Sequence, residues 1–184
     1  MKKNSVRALT EGAIMVAAAQ ILGYLVLYRL PWGGSICLSM LPIMIYAHRW
    51  GVKNGLLAGL VFGLLQYVGD NGIAISWVSM LGDYLVAFGV LGLSGVCHGK
   101  KNGLFVGSLV GGLARFAVHY VVGATVWGAY MPESFFGMTM TTPWFYSLLY
   151  NMSYMVPSIA LCLLVEALLW KPMNRYLTGA DLAA

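Results

Sequence analysis

Charge is what this chain has least of. Of its 184 residues 9% are charged, against about a quarter in ordinary soluble domains, while 60% are hydrophobic and the mean hydropathy is +0.77. A soluble globular protein is excluded, and an all-α integral membrane protein is expected. At roughly 20 apolar residues per spanning helix, the chain has room for about six spans and little besides, so a separate soluble catalytic or nucleotide-binding domain is excluded too. A phosphate-binding loop is also missing: Gly99, Lys100 and Lys101 lack both the upstream glycine and the following hydroxyl of the G-x-x-x-x-G-K-[ST] pattern. Any active transport must therefore be powered by a partner or by an ion gradient. Three cysteines (Cys37, Cys97, Cys162) cannot pair completely and sit in apolar surroundings, which points to buried small hydrophobes. His48 and His98 fall in loops beside basic residues, and no serine, histidine and acid or paired carboxylates stand at telling spacings. No catalytic set, metal site or cofactor is expected, and the chain reads as a non-enzyme.

What is present is a row of apolar segments. The expected spans are Leu9–Leu27, Ile36–Ala47, Gly55–Gly69, Ser76–Cys97, Leu104–Val126 and Trp144–Leu169, together one transmembrane domain over residues 1–184. The N-terminus could pass for a secretory signal, but Glu11 interrupts the hydrophobic region and the apolar run continues past Ala17, Ala18 and Ala19, which suits a retained first span. The second and third spans are short. Lys2, Lys3, Arg7, Arg49, Lys53, Lys100, Lys101, Lys171 and Arg175 fall on one side, Arg29 on the other and Arg115 inside a span. The positive-inside rule then places both termini in the cytoplasm, which requires an even number of spans. The outward loops, Tyr28–Ser35, Asp70–Ile75 and Trp127–Pro143, carry Trp32, Trp127, Tyr130, Phe135 and Phe136, an interfacial belt or the lid of a pocket.

Small residues recur at four-residue spacing as Ala13 with Ala17, Gly55 with Gly59 and Gly63, and Gly107 with Gly111. Such rows let helices pack closely inside the bundle, or dock another membrane protein where they are exposed. Polar groups inside spans are costly enough to mark function, and here they are Asp83, Arg115, His119 and Asn151. Counting inward at about 1.5 Å per residue, Asp83, His119 and Asn151 all lie roughly 10–12 Å below the outer surface, on three different helices. Arg115 lies about one turn deeper.

Arg115, His119, Gly123 and Trp127 are four residues apart and form one stripe, in which Gly123 leaves room for a flat group to approach. Tyr146 and Tyr150 share a face with Asn151 beside them, and Trp77 and Tyr84 lie a heptad apart, Asp83 pointing away from Trp77. An acid, aromatic rings and neutral hydrogen-bonding groups converging from outside suit a small, flat, cationic ligand. On residue types alone an Asp83–Arg115 ion pair that merely holds helices together is an equal reading, and the greater depth of Arg115 favours the pocket. A stand-alone proton-coupled carrier using Asp83 and His119, a membrane-embedded enzyme using the same pair, and a structural subunit without ligand are the rivals.

Arg7, Leu9, Thr10, Glu11 with Ala13 and Ala17, the stretch from Asp83 through Tyr84 to Ala87, the run from His119 through Gly123 to Trp127, and Tyr146 to Asn151 together resemble the thiamine-specific S-components of energy-coupling factor transporters. The resemblance covers nearly the whole chain. It implies a multi-pass subunit of the bacterial cell membrane, with six spans and cytoplasmic termini. Such a subunit binds thiamine from outside and works with a transmembrane coupling subunit and a pair of cytoplasmic ATPases. It further implies that Trp127 stacks on a ligand ring, that His119, Tyr146 and Asn151 meet polar ring edges, and that Trp32 adds a second aromatic wall. Tyr84, Arg115 and Tyr150 would stand behind them, and Ala13 with Ala17 would dock the coupling subunit. The sequence departs from the family pattern in having Asp83 where a glutamate is expected and no tyrosine near Ile73, and in a longer loop between Trp127 and Tyr146. Thiamine, or a relative such as a thiamine precursor, is the expected cargo.

Overall fold

The computed structural model describes residues 3–30, 34–69, 73–100 and 102–182. Its main helices are α1 (Lys3–Tyr24), α2 (Met40–Trp50), α3 (Val52–Gly69), α4 (Trp77–Cys97), α5 (Gly103–Thr125) and α6 (Pro143–Trp170), followed by a single turn, α7 (Asn174–Leu177). All but α2 and α7 are long and apolar enough to cross a membrane. Helix α2 has 11 residues, about 16 Å of rise, which is half the hydrocarbon thickness of a bilayer. It survives because Met40 through Arg49 are all buried, with α1, α3, α4 and α5 packed around it. The expected second span began at Ile36, but Ser35–Ile36 instead pairs with Tyr28–Arg29 as a short antiparallel ribbon. A second ribbon joins Ser134–Phe135 to Met138–Thr139, and its turn residues Phe136 and Gly137 both have positive φ (51° and 74°), as a tight two-residue hairpin requires. The helical bundle thus carries two small β-hairpins in its outer loops.

Two of the three small-residue rows are internal. A side chain at Gly59 or Gly63 would run into the carbonyl oxygens of Phe88 and Tyr84, and one at Gly55 into Ala47 and Gly92, so the α3 row is where α4 lies against it. Gly107 and Gly111 press in the same way on Ser94 of α4. Ala13 and Ala17 are exposed, in a face of α1 that also presents Val6, Leu9, Ile14 and Ile21.

Helix α4 is not a regular α-helix. It opens with a reciprocal cap, Ser76 and Ser79 each accepting the other's backbone N–H (3.1 and 3.2 Å), then widens into π-type bonding over Met80–Val86 and tightens to 3-10 bonding over Val90–Cys97. Wide turns of this kind interrupt the α-helical register and often mark functional positions. Asp83 sits in the middle of this one.

At the cytoplasmic end, the fully buried side chain of Arg49 is held from two directions. Its Nε donates to Glu11 of α1 (2.7 Å), its two terminal nitrogens donate to the Asp181 carboxylate (2.6 and 2.7 Å), and Nη1 also donates to the Tyr176 carbonyl (2.6 Å). Its guanidinium lies over the Tyr176 ring at 4.0 Å. Arg7 bridges the same two acids. The segment after α6 is thereby tied to the start of α1 and the end of α2.

Candidate functional site

Between the outer ends of α4, α5 and α6, the chain leading into α2 and the turn at Trp127 lies a cavity open to solvent. Each wall is set by a local feature already described. The wide turn of α4 supplies Asp83 and Tyr84, the stripe on α5 supplies Arg115, His119 and Gly123, and α6 supplies Tyr146, Tyr150 and Asn151. Thr142 starts α6 by accepting the Phe145 N–H (3.1 Å), with Pro143 in its first turn, and so fixes where the aromatic face of that helix begins.

A chain of hydrogen bonds crosses the cavity. The Trp127 indole Nε1 donates to Asp83 Oδ2 (2.8 Å), His119 Nδ1 meets Asp83 Oδ1 (2.9 Å), and Arg115 Nε donates to His119 Nε2 (3.2 Å). Asp83 and Arg115 therefore interact through the imidazole between them. The Arg115 guanidinium also stacks over the Phe88 ring at 4.1 Å. On the opposite side, Asn151 Nδ2 donates to the Ser147 carbonyl (2.8 Å) and hydroxyl (3.1 Å) and to the His119 carbonyl (3.3 Å), while its Oδ1 accepts from Tyr154 (2.7 Å). The carboxylate, imidazole and carboxamide that the sequence places at one depth are thus neighbours.

Aromatic rings wall the rest. Tyr146, Tyr150 and Tyr154 follow one another along α6 with centroids 5.6 and 5.9 Å apart, and Phe135, from the second hairpin, lies 5.5 Å from Tyr146 and 5.9 Å from Tyr150. The Tyr150 hydroxyl accepts the Gly34 N–H (3.3 Å), which ties the entry to α2 onto this face. The Tyr84 hydroxyl donates to the Ile73 carbonyl (3.3 Å).

The structure departs from the sequence reading at three points. The space beside Gly123 is filled by the Ser147 hydroxyl and the Asn151 amide, so the missing side chain admits α6 as its nearest neighbour, although the residue still borders the cavity. Tyr154 was not among the expected site residues, yet it follows Tyr146 and Tyr150 at the same four-residue step, a signal the sequence contains. Glu166 also lies outside the expected set: it is fully buried in the inner half of α6, where the Ser108 hydroxyl donates to its Oε1 (2.5 Å). Trp32, and the loop residues Asp70, Asn71 and Gly72, lie outside the described residues.

Residues 9–177 match the family described as thiamine transporter protein. The chain belongs to this family. Among its relatives is the thiamine transporter ThiT of Bacillus subtilis, 39% identical over 184 residues that cover 92% of this chain and 93% of that one. The ThiT of Lacticaseibacillus paracasei is 27% identical over 175 residues, covering 86% of this chain and 84% of its own. The solved structure of ThiT from Listeria monocytogenes superposes with a TM-score of 0.82 at 23% identity, over 95% of this chain and 99% of that one, and shows the same fold. This member of the thiamine transporter family is a multi-pass bacterial membrane protein, and its pocket lies in the outer half of the bundle, opposite the Arg49 cluster.

Proposed function

We propose that this chain captures thiamine from outside the cell in the pocket below Trp127, as the substrate-binding subunit of an energy-coupling factor transporter. The observation that carries the reading is the placement of one carboxylate, Asp83, between an imidazole and an indole in an outward-opening cavity lined with tyrosines. Thiamine joins a permanently charged thiazolium to a flat aminopyrimidine. In a water-poor cavity, an unneutralised cation needs an anion or π-faces, each cation–π contact contributing about 0.5–2 kcal/mol. Asp83 supplies the counter-charge, and Trp127 supplies a ring face. His119, Tyr146 and Asn151 meet the polar edges of the pyrimidine, while Tyr84, Arg115 and Tyr150 hold these groups in place.

Binding and release need no bond-making step, so the chain works as a non-enzyme and without a cofactor; thiamine is cargo. It contains no phosphate-binding loop, so the energy for release comes from other chains: a transmembrane coupling subunit, docked on the exposed Ala13–Ala17 face of α1, and two cytoplasmic ATPases.

Isothermal titration of the purified, folded protein with thiamine tests the reading. One saturable site is expected, and no heat of binding would overturn it. Reconstituted vesicles test the second half: uptake is expected only with the ATPase module present. Uptake without it, abolished by an uncoupler, would make the chain a proton-coupled carrier instead.

A further inference from the structure

We infer that Arg115 is a positioning residue whose task is to hold His119 as a neutral imidazole, so that Asp83 keeps its full negative charge for a cationic ligand. The inference rests on the thiamine reading above and adds to it the reason a cation sits so close to a cation-binding site.

The logic is one of donors and acceptors. An arginine Nε carries a hydrogen and has no lone pair to offer, so it can only donate. Its partner is His119 Nε2 at 3.2 Å, which must therefore be the bare, accepting nitrogen of the ring. The ring's single hydrogen is then on Nδ1, where it is donated to Asp83 Oδ1 at 2.9 Å. A doubly protonated ring would turn an N–H against the Arg115 N–H. The guanidinium thus fixes both tautomer and charge, and is itself fixed by stacking on Phe88 at 4.1 Å.

Without Arg115 nothing holds Nε2 to the accepting role, and the ring can carry a hydrogen on both nitrogens and pair with Asp83 as an imidazolium. Asp83 would then be neutralised by its own neighbour, and an incoming thiazolium would meet a neutral ion pair in place of a carboxylate whose nearest partners, the imidazole and the indole, are uncharged. Among the described residues, Tyr130 and Tyr146 line the same cavity as His119, together with the following groups. From α4 come Asp83 and Tyr84; on α5 itself, Arg115; from α6, Tyr150 and Tyr154, the latter ring 6.3 Å away, with the uncharged Asn151; and from the chain before α2, Cys37. Of these, His119 is the group whose unperturbed titration falls between about pH 5 and 8.

The test is a pH profile of thiamine affinity, with a ligand-free measurement beside it. In the parent protein the dissociation constant is expected to stay flat between about pH 6 and 8. In Arg115→Met it is expected to rise tenfold or more as pH falls across that window, in the manner of a single protonation. Arg115→Lys should restore the flat profile, and Arg115→Met combined with His119→Asn should be weak but independent of pH. A flat profile in a folded Arg115→Met protein would overturn the inference, and so would an equal loss at every pH, which is what a merely structural role predicts. Nitrogen-15 NMR of imidazole-labelled protein without thiamine reads the ring directly. The parent should show a protonated Nδ1 and bare Nε2 at neutral pH, and an imidazolium there sinks the inference even if no arginine variant folds. Absence of thiamine binding by the parent, with the neutral tautomer seen by NMR, would instead strike the functional reading alone.

Discussion

Trp127 and Asp83, 44 residues apart in sequence, are joined across the mouth of the pocket by the indole N–H, which donates to a carboxylate oxygen at 2.8 Å. The aromatic face proposed to stack on the ligand is therefore oriented by the same acid proposed to neutralise it. Trp127→Ala and Asp83→Asn should each weaken thiamine binding more than tenfold by isothermal titration. The double variant should lose less than the product of the two, because residues sharing a hydrogen bond couple. Trp127→Phe should fall between, keeping a ring without its tether. Thiamine should quench tryptophan fluorescence in the parent and quench it much less in Trp127→Phe.

Arg49 makes a separate prediction about stability. Its side chain is fully buried, while its partners Glu11 and Asp181 are 15% and 23% exposed. Deleting the cation leaves Glu11 and Asp181 to the exposed Arg7 in place of a buried guanidinium, so Arg49→Ala should lower stability by about 3 kcal/mol, the scale seen when one member of a buried ionic cluster is removed. A fall in melting temperature of the detergent-solubilised protein checks this, and thiamine affinity below the transition should change little.

The Asp181 carboxyl is held well below the ordinary carboxylate range, first by its hydrogen bonds from Arg49 and against the opposing effect of burial. A depressed native value stabilises the fold fully above the unfolded carboxylate value of 3.8, and that contribution is lost as pH falls from there through the native value. The melting temperature should therefore show an acid limb below about pH 4 that becomes shallower in Asp181→Asn. Nearby, burial and the Glu11 carboxylate push the Tyr176 hydroxyl up to about 12. That residue should stay un-ionised at any pH a membrane preparation tolerates.

Gly59 faces the backbone carbonyl of Phe88, so any side chain there must push α3 and α4 apart. Gly59→Ala should cost about 1–3 kcal/mol, in line with overpacked sites. Because α4 carries Asp83, it should also weaken thiamine binding several-fold, a coupling that titration and thermal melts on one preparation would reveal.

Ala13 and Ala17 lie on an exposed face of α1, so bulk added there points away from the core of the chain. Ala13→Leu with Ala17→Leu should leave thiamine titration unchanged and abolish uptake in vesicles containing the coupling subunit and ATPases. Normal uptake would remove the docking assignment.

Much of this was readable from residue types because a bilayer makes polar side chains conspicuous. Asp83, His119 and Asn151 could be brought together from depth alone, since helical rise is regular and their helices are long. Helical phase was less dependable. Asp83 lies within a wide turn of α4, where counting 100° per residue no longer gives a direction, and no residue there announces the change. The sequence offers Gly123 as space for a ligand, whereas its packing partner is Ser147, one turn before Asn151 on the face of α6 that meets α5, a small hydroxyl that residue type alone does not single out. The clamp on Arg49 was invisible for a different reason: its acids come from opposite ends of the chain, and charges outside the spans carry topology before they carry contacts.

The shortness of α2 has its own consequence. Its first turn, at Met40, borders the cavity, and the chain before it, a two-residue strand at Ser35–Ile36 followed by bends at Cys37 and Leu38 and a turn at Ser39, contributes Gly34, Ser35, Cys37 and Ser39 to the same lining. On that side the chamber is walled by irregular chain in place of helix. Sequence changes that let α2 grow upward toward Ser35 would therefore rebuild that wall and reshape the chamber from within.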